Sequence, residues 1–377
     1  MPRKPPGSLD VERFMRRHWQ REPLLVRGAF PAFVDPLSPA QVLALARSTE
    51  AVSRLVERRA HAWNVEHGPF PAARLRRLAR RDWTVLVQDT NHFSARAARL
   101  LARFDFIPHA RIDDVMVSYA VPGGGVGPHV DSYDVFLLQG RGRRRWRISR
   151  QKDRSFVPGL DLKILRRFAP EQEWTLEAGD MLYLPPGIAH DGIAETECLT
   201  WSIGFRAPSD RELMAGFLDF LHERLDARGE YRDPGSAPAR HPGAIPSALE
   251  AHAARAISRV RWSAAEVREF AGRFLSEPKA HVYFTPPAHP LAAARFARRA
   301  ARLGLALDAR ARLLFSGTMF FLNGERVEVP PAARALVRRL ADLRSLAPPV
   351  RAGGAFWQTM HAWYLQGALA ARTGEEE

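Results

Sequence analysis

Apolar and polar residues change their period near residue 112, and the change divides the chain. Upstream, Ser38-Pro39-Ala40-Gln41 opens a helix expected over 38–47. Ser38 is its cap, Pro39 takes the first helical position and Gln41 completes a capping box. The stretches 71–81 and 94–103 also read as helices, with a strand over Trp83–Val87 between them. From 112 to 205 the apolar period becomes two, broken by turns. Val115, Val117, Tyr119 and Val121 alternate with their neighbours, and so do Leu199, Trp201, Ile203 and Phe205. Many short strands joined by Gly and Pro turns predict a closed or double-sheet β architecture, a jelly roll.

Beyond 208 the helical period returns. Ser209-Asp210-Arg211-Glu212 is a second capping box, opening a helix expected over 210–227. A Pro-, Gly- and Ala-rich stretch from Asp233 to Pro246 reads as an irregular connection. Ser263-Ala264-Ala265-Glu266 opens a further helix, to about residue 275. Asn323-Gly324 then sits between the apolar runs 318–322 and 325–329, the strongest short signal for a β-hairpin. A helix over 331–346 follows. Helices plus a hairpin resemble a winged helix, an arrangement that does not by itself establish nucleic-acid binding. The final Gly374–Glu377 reads as disordered. No internal repeat is present.

Charge and cysteine content narrow the function classes. The 377 residues carry a formal net charge of +15. A basic protein attracts nucleic acid. Yet only four of the 56 basic residues are lysine, and alanine is abundant, as a GC-rich coding bias would produce. The arginines read as spread over many helices rather than clustered in one stripe. Coding bias with solvated faces and a functional attraction to nucleic acid both stay open. The single cysteine, Cys198, excludes a disulfide framework, fits a reducing cytoplasm and reads as core. The first residues lack the apolar run of a signal peptide, and no run approaches the ~18 apolar residues of a membrane span.

The candidate chemistry lies in the β-rich part. His129-Val130-Asp131 is the only His-x-Asp in the chain, and His190 follows downstream in Leu184-Pro185-Pro186-Gly187-Ile188-Ala189-His190. Chance alone yields about one such tripeptide in a chain of this composition, so its context carries the weight. In a strand, residues i and i+2 share a face, so His129 and Asp131 can reach one ion. Gly123, Gly124, Gly125 and Gly127, bracketed by Pro122 and Pro128, permit a tight turn just before them. Two histidines and one carboxylate form a facial triad for a non-haem ferrous ion, leaving positions open for an oxidant and a cosubstrate. A turn with incidental polar residues is the bland alternative. The glycine run is no phosphate loop, because no Lys-Ser/Thr follows it. His61, His67, His92 and His109 lack ligand-like spacing and read as surface or satisfied core.

Arg144 offers an independent argument. The run 143–149 places Arg143, Arg145 and Arg147 on one face and Arg144, Trp146 and Ile148 on the other. Trp146 and Ile148 face inward, so Arg144 does too. A buried guanidinium is costly unless it meets an anion, and its fork fits a carboxylate. The distal carboxylate of 2-oxoglutarate is a natural guest beside such an iron; a buried Asp or Glu of the protein is the alternative. Asp114 shares strand parity with Met116 and Ser118, opposite the apolar Val115–Val117–Tyr119 face, and Tyr133 lies two residues past Asp131. Each can line the cavity, or can serve only solvation or packing.

These blocks, with Gln139-Gly140, Gly142 to Arg147, Gly179-Asp180 and Ser202 to Pro208, resemble the bacterial ribosomal oxygenases over positions 112–208. Those are cupin-fold, Jumonji-C-like 2-oxoglutarate hydroxylases. The resemblance implies an α+β chain: a double-stranded β-helix with flanking helices over 1–208, a helical dimerisation module over 209–275 and a winged-helix-like domain over 276–377. It implies that His129, Asp131 and His190 bind Fe(II), that Arg144 and Ser202 hold 2-oxoglutarate, and that O2 is the oxidant. It also implies that Asp114 and Tyr133 hold an arginine of a large-subunit ribosomal protein, and that the protein is a cytoplasmic homodimer. A non-enzymatic cupin sensing a small acid or nucleic acid, a nucleic-acid binder with a vestigial barrel, and an N-methyl demethylase are the competing readings.

Overall fold

The computed structural model describes residues 5–7, 9–59, 62–160, 162–225 and 229–372. The acidic end, Gly374–Glu377, and His61 lie outside them. The chain divides into two compact units, Met1–Ala207 and Pro208–Glu377.

The first unit is built on twelve strands: β1 (Leu24–Val26), β2 (Ser53–Arg59), β3 (Ala62–His67), β4 (Trp83–Val87), β5 (Ile112–Ala120), β6 (His129–Val130), β7 (Asp134–Gln139), β8 (Arg144–Ser149), β9 (Gln172–Leu176), β10 (Met181–Leu184), β11 (Ala189–Ala194) and β12 (Cys198–Phe205). They form an eight-stranded sheet, β1-β10-β7-β12-β5-β4-β2-β3, and a four-stranded sheet, β6-β11-β8-β9. The expected alternation decides what each face does. On β5 and β12 the side chains of Val115, Val117, Tyr119, Leu199, Trp201, Ile203 and Phe205 are buried in one core with the N-terminal helices. The opposite parity, Asp114, Met116, Ser118 and Ser202, faces the space between the two sheets. There a smaller apolar cluster of Val135, Leu137, Trp146, Ile148, Leu182 and Leu184 closes the barrel. Cys198 is buried with Ala120 and Ala194, as expected of a core residue.

Among the flanking helices, Ser38 caps Pro39–Leu45 with both halves of the capping box formed. The helix expected over 71–81 spans only Ala72–Arg76. The arginine-rich residues after it have no apolar stripe to bury, and Asp82 takes a left-handed turn at φ 66° into β4. The helix expected over 94–103 runs Ala95–Leu101 and tightens into a 3-10 turn at Ala102–Phe104.

The second unit contains α-helices at Asp210–His222, Ser247–Ile257, Ala264–Ser276, Ala293–Leu303, Arg334–Leu343 and Gly354–Leu365, with two small three-stranded sheets. Both predicted capping boxes are formed, at Ser209 and Ser263. The hairpin pairs Met319–Leu322 with Glu325–Val327, and Asn323 and Gly324 both have positive φ, as a two-residue I′ turn requires. The expected helix over 331–346 stops at Leu343, because Arg344 turns left-handed and Ser345–Leu346 becomes a strand against Leu305–Ala306. On Ala293–Leu303 the arginines, spread through the rest of the chain, become locally dense. Arg295, Arg298, Arg299 and Arg302 recur at helical spacing and are all exposed, so this helix does carry an arginine stripe. No helix among the described residues is long and apolar enough to cross a membrane.

Candidate active site

Strand pairing brings the two histidines together. β6 pairs with β11 so that His129 stands directly opposite His190, with ring centroids 4.2 Å apart. Asp131 follows β6 at once, and its backbone carbonyl accepts the Gly187 N–H, which fixes the end of the strand. The Asp131 carboxylate lies 3.8 Å from His129 Nε2 and 3.5 Å from His190 Nε2. One potential ligand atom from each residue falls within 4.8 Å of the others, the only such trio among the described residues. The glycine turn before β6 is sterically required. A Cβ on Gly125 would meet the Gly192 carbonyl oxygen at 2.4 Å, and Gly127 has φ 79° and lies against the Trp63 ring.

Both imidazoles are oriented for a metal. Nδ1 of His129 is 2.9 Å from the Gly127 carbonyl, and Nδ1 of His190 is 3.0 Å from that of Ile188. A carbonyl can only accept, so each Nδ1 carries a proton, and Nε2, the nitrogen facing Asp131, is left as the metal-binding atom. Burial, reinforced by the neighbouring His129, pushes the His190 imidazole down to about 4, keeping it neutral and ligand-competent. The other described histidines are not part of this trio; His109, for example, pairs with Asp105 at 3.1 Å.

Arg144 meets the expectation drawn from strand parity. It is 5% exposed on β8, alternating with half-buried Arg145 and Arg147 on the opposite face. Its Nη1 donates to Ser118 Oγ at 2.9 Å, linking the two sheets across the barrel. Its Nε and Nη2 are buried and have no hydrogen-bond partner among the described residues. Among the described residues no protein carboxylate pairs with it. A desolvated guanidinium with two idle donors fits an incoming anion.

These groups share a cavity of about 420 Å³. His129, Asp131 and His190 line it with Arg144, Ser118 and Ser202, and so do Asp113, Asp114 and Tyr133. All the residues singled out in the sequence thus reach one space. Asp114 is buried and accepts a hydrogen bond from the Asp89 N–H at 3.2 Å. Burial, then the charges of Asp131, Asp114 and Asp113, holds the Tyr133 hydroxyl well above its ordinary range. Sequence reasoning did not name Ser118, Arg54 or Lys163 as site residues. Only the parity of Ser118 with Asp114 signalled it.

The chain matches the JmjC domain family over residues 99–213 and the ROXA-like winged helix family over residues 259–370. It is similar to the ribosomal protein uL16 3-hydroxylase of Escherichia coli, 36% identical over 89% of this chain and 90% of the relative. A probable ribosomal oxygenase of Haemophilus influenzae is 37% identical over 59% of this chain and 56% of its own length. The solved structure of the E. coli ribosomal oxygenase YcfD in complex with cobalt and 2-oxoglutarate matches with TM-score 0.81 and 33% identity, covering 97% of this chain and 98% of that one. With a relative aligned at such identity over almost the whole of both chains, and with the barrel and paired histidines described above, the chain belongs to the JmjC ribosomal oxygenases.

Proposed function

We propose that the protein is a 2-oxoglutarate- and Fe(II)-dependent oxygenase that hydroxylates an arginine side chain of the large-subunit ribosomal protein uL16. The observation that carries this reading is the pairing, in one cavity, of a His-His-Asp donor set with a buried guanidinium whose Nε and Nη2 are unpartnered. Two imidazoles and a carboxylate suit a divalent transition metal, and three protein ligands leave the remaining positions open. With Fe(II) and 2-oxoglutarate bound, the site supplies O2 activation coupled to oxidative decarboxylation of the oxo acid to succinate.

The chain's own residues divide the rest of the work. His129, Asp131 and His190 hold the metal, with the Gly127 and Ile188 carbonyls fixing both rings. Arg144, supported by Ser118 and joined in the cavity wall by Ser202, holds the distal carboxylate of 2-oxoglutarate. Asp114 and Tyr133, with Asp113 beside them, receive the cationic side chain. Apolar neighbours of the metal site, Val135, Leu137 and Trp146, limit water around the reacting carbon. A sensor that only bound a small acid would have no use for the oriented triad.

We assign 1–208 to catalysis, 209–275 to dimerisation and 276–377 to the winged-helix-like part, with ribosomal RNA as a contact and the cytoplasm as the site of action. Met214 and Leu218, two-thirds exposed one turn apart on Asp210–His222, support a homodimer. Mass spectrometry of ribosomal proteins from cells with and without the gene tests the main reading. A gain of one oxygen on a uL16 arginine only when the gene is present is expected. An unmodified uL16 in both would remove the substrate assignment.

A further inference from the structure

We propose that a groove bounded by Arg58, Arg59, Arg77, Arg80 and Arg81 on the catalytic unit binds the phosphate backbone of ribosomal RNA, docking the enzyme on an RNA-bound substrate. The proposal rests on the reading that the substrate is a ribosomal protein. The groove has a volume of about 510 Å³, and among the described residues its acidic lining is limited to Glu57 and Asp82. Glu57 is buried and already bound by Arg74 and Arg59, and Asp82 lies 3.6 Å from Arg58. Arg77, Arg80 and Arg81 are exposed and form no ion pair among the described residues. Converging like charges in a recess repel one another and focus a positive field that draws an anion in. The arginine stripe on Ala293–Leu303 differs, because it lies on one helix face rather than around a recess, so its field is not focused.

The groove is tied to the catalytic cavity. Arg54 lines that cavity, and Arg58 lies on the same face of β2, four residues or about 13 Å further along. The Asp82 N–H donates to the Pro122 carbonyl, so the groove wall is fastened to the glycine turn that leads into His129. A guanidinium fork fits a phosphate. The groove repels a cationic substrate segment, so its ligand is the nucleic-acid partner of that substrate rather than the substrate itself.

The test compares two full-length variants that lose the same charge: Arg77→Ser/Arg80→Ser/Arg81→Ser in the groove and Arg295→Ser/Arg298→Ser/Arg302→Ser on the helix stripe. Anisotropy with a labelled large-subunit rRNA fragment is followed across salt concentrations, alongside hydroxylation of a free uL16 peptide. The groove variant should bind RNA about tenfold or more weaker, with the salt slope reduced by about 2 to 3, while the stripe variant stays within about twofold of the parent. Peptide hydroxylation should be unchanged in both. An equal loss in the stripe variant would show that net charge, not the groove, binds RNA, and would overturn the proposal. So would an unchanged groove variant, a parallel loss of its peptide turnover, or displacement of the RNA by mononucleotide at matched phosphate concentration. RNA binding is read without turnover, so a wrong substrate reading would appear separately, as a peptide that is never hydroxylated.

Discussion

Replacing Arg144 by methionine separates cosubstrate binding from folding. In the protein without ligand, Arg144 contributes one hydrogen bond, from Nη1 to Ser118, while Nε and Nη2 stay desolvated and unpartnered. Methionine keeps most of the side-chain volume against Trp146 but removes the cation. Relieving a buried charge without a partner offsets the lost hydrogen bond, so apo stability should hold or rise. The cost should appear only when 2-oxoglutarate binds. A charge-assisted hydrogen bond contributes about 1.5–3 kcal/mol, which weakens the dissociation constant roughly 10- to 150-fold. Calorimetric titration of 2-oxoglutarate into the anaerobic metal-loaded protein reads the affinity, and thermal unfolding of the apo protein reads the stability. Arg144→Lys should recover part of the affinity, because a point charge replaces the fork. An unchanged affinity in Arg144→Met would show that another residue anchors the cosubstrate. A large loss of apo stability would show that Arg144 is a structural residue.

Three further perturbations test other parts of the account. Asp114→Asn, which keeps an oxygen able to accept from the Asp89 N–H, should raise the peptide KM or lower kcat yet leave uncoupled 2-oxoglutarate turnover intact; loss of both activities together would place Asp114 in the fold or the metal site. Gly192→Ala should lower the melting temperature by an overpacking cost of about 1–3 kcal/mol, since the new methyl meets the Trp146 ring at 2.6 Å, and unaltered melting would contradict that packing. The hydrogen bond from Arg74 holds the Glu66 carboxyl below its ordinary range, so its contribution is present above the usual carboxylate pKa and fades as pH falls through the lowered value. Glu66→Gln should therefore flatten the acid limb of stability followed by circular dichroism, and an unchanged limb would show that the pair contributes nothing.

The barrel was legible because both of its faces follow one simple rule. Val115, Val117 and Tyr119 had to be buried, which assigned Asp114, Met116 and Ser118 to the other face, and the structure places them in the cavity wall. The same parity predicted a buried Arg144. Parity placed Ser118 on the cavity face but not its role, since a serine there carries no sign of a partner until an arginine from the opposite sheet reaches it. The shortened helix at 72–76 and the missed helix at Ser247–Ile257 share a cause. Arginine and alanine favour helix everywhere, so propensity does not mark an end without an apolar stripe, and 247–257 has no buried residue to provide one. The β2–β3 hairpin was hidden by charged residues on a strand whose Leu55 and Val56 are nonetheless fully buried.

The most direct test of the oxygenase is a single-turnover reaction under isotopically heavy oxygen gas, with Fe(II), 2-oxoglutarate and a uL16 peptide. One heavy oxygen in the arginine side chain and one in succinate are expected, with both products absent in Asp131→Ala. Peptide oxygen drawn from water, or full product formation by Asp131→Ala, would contradict the oxygenase assignment.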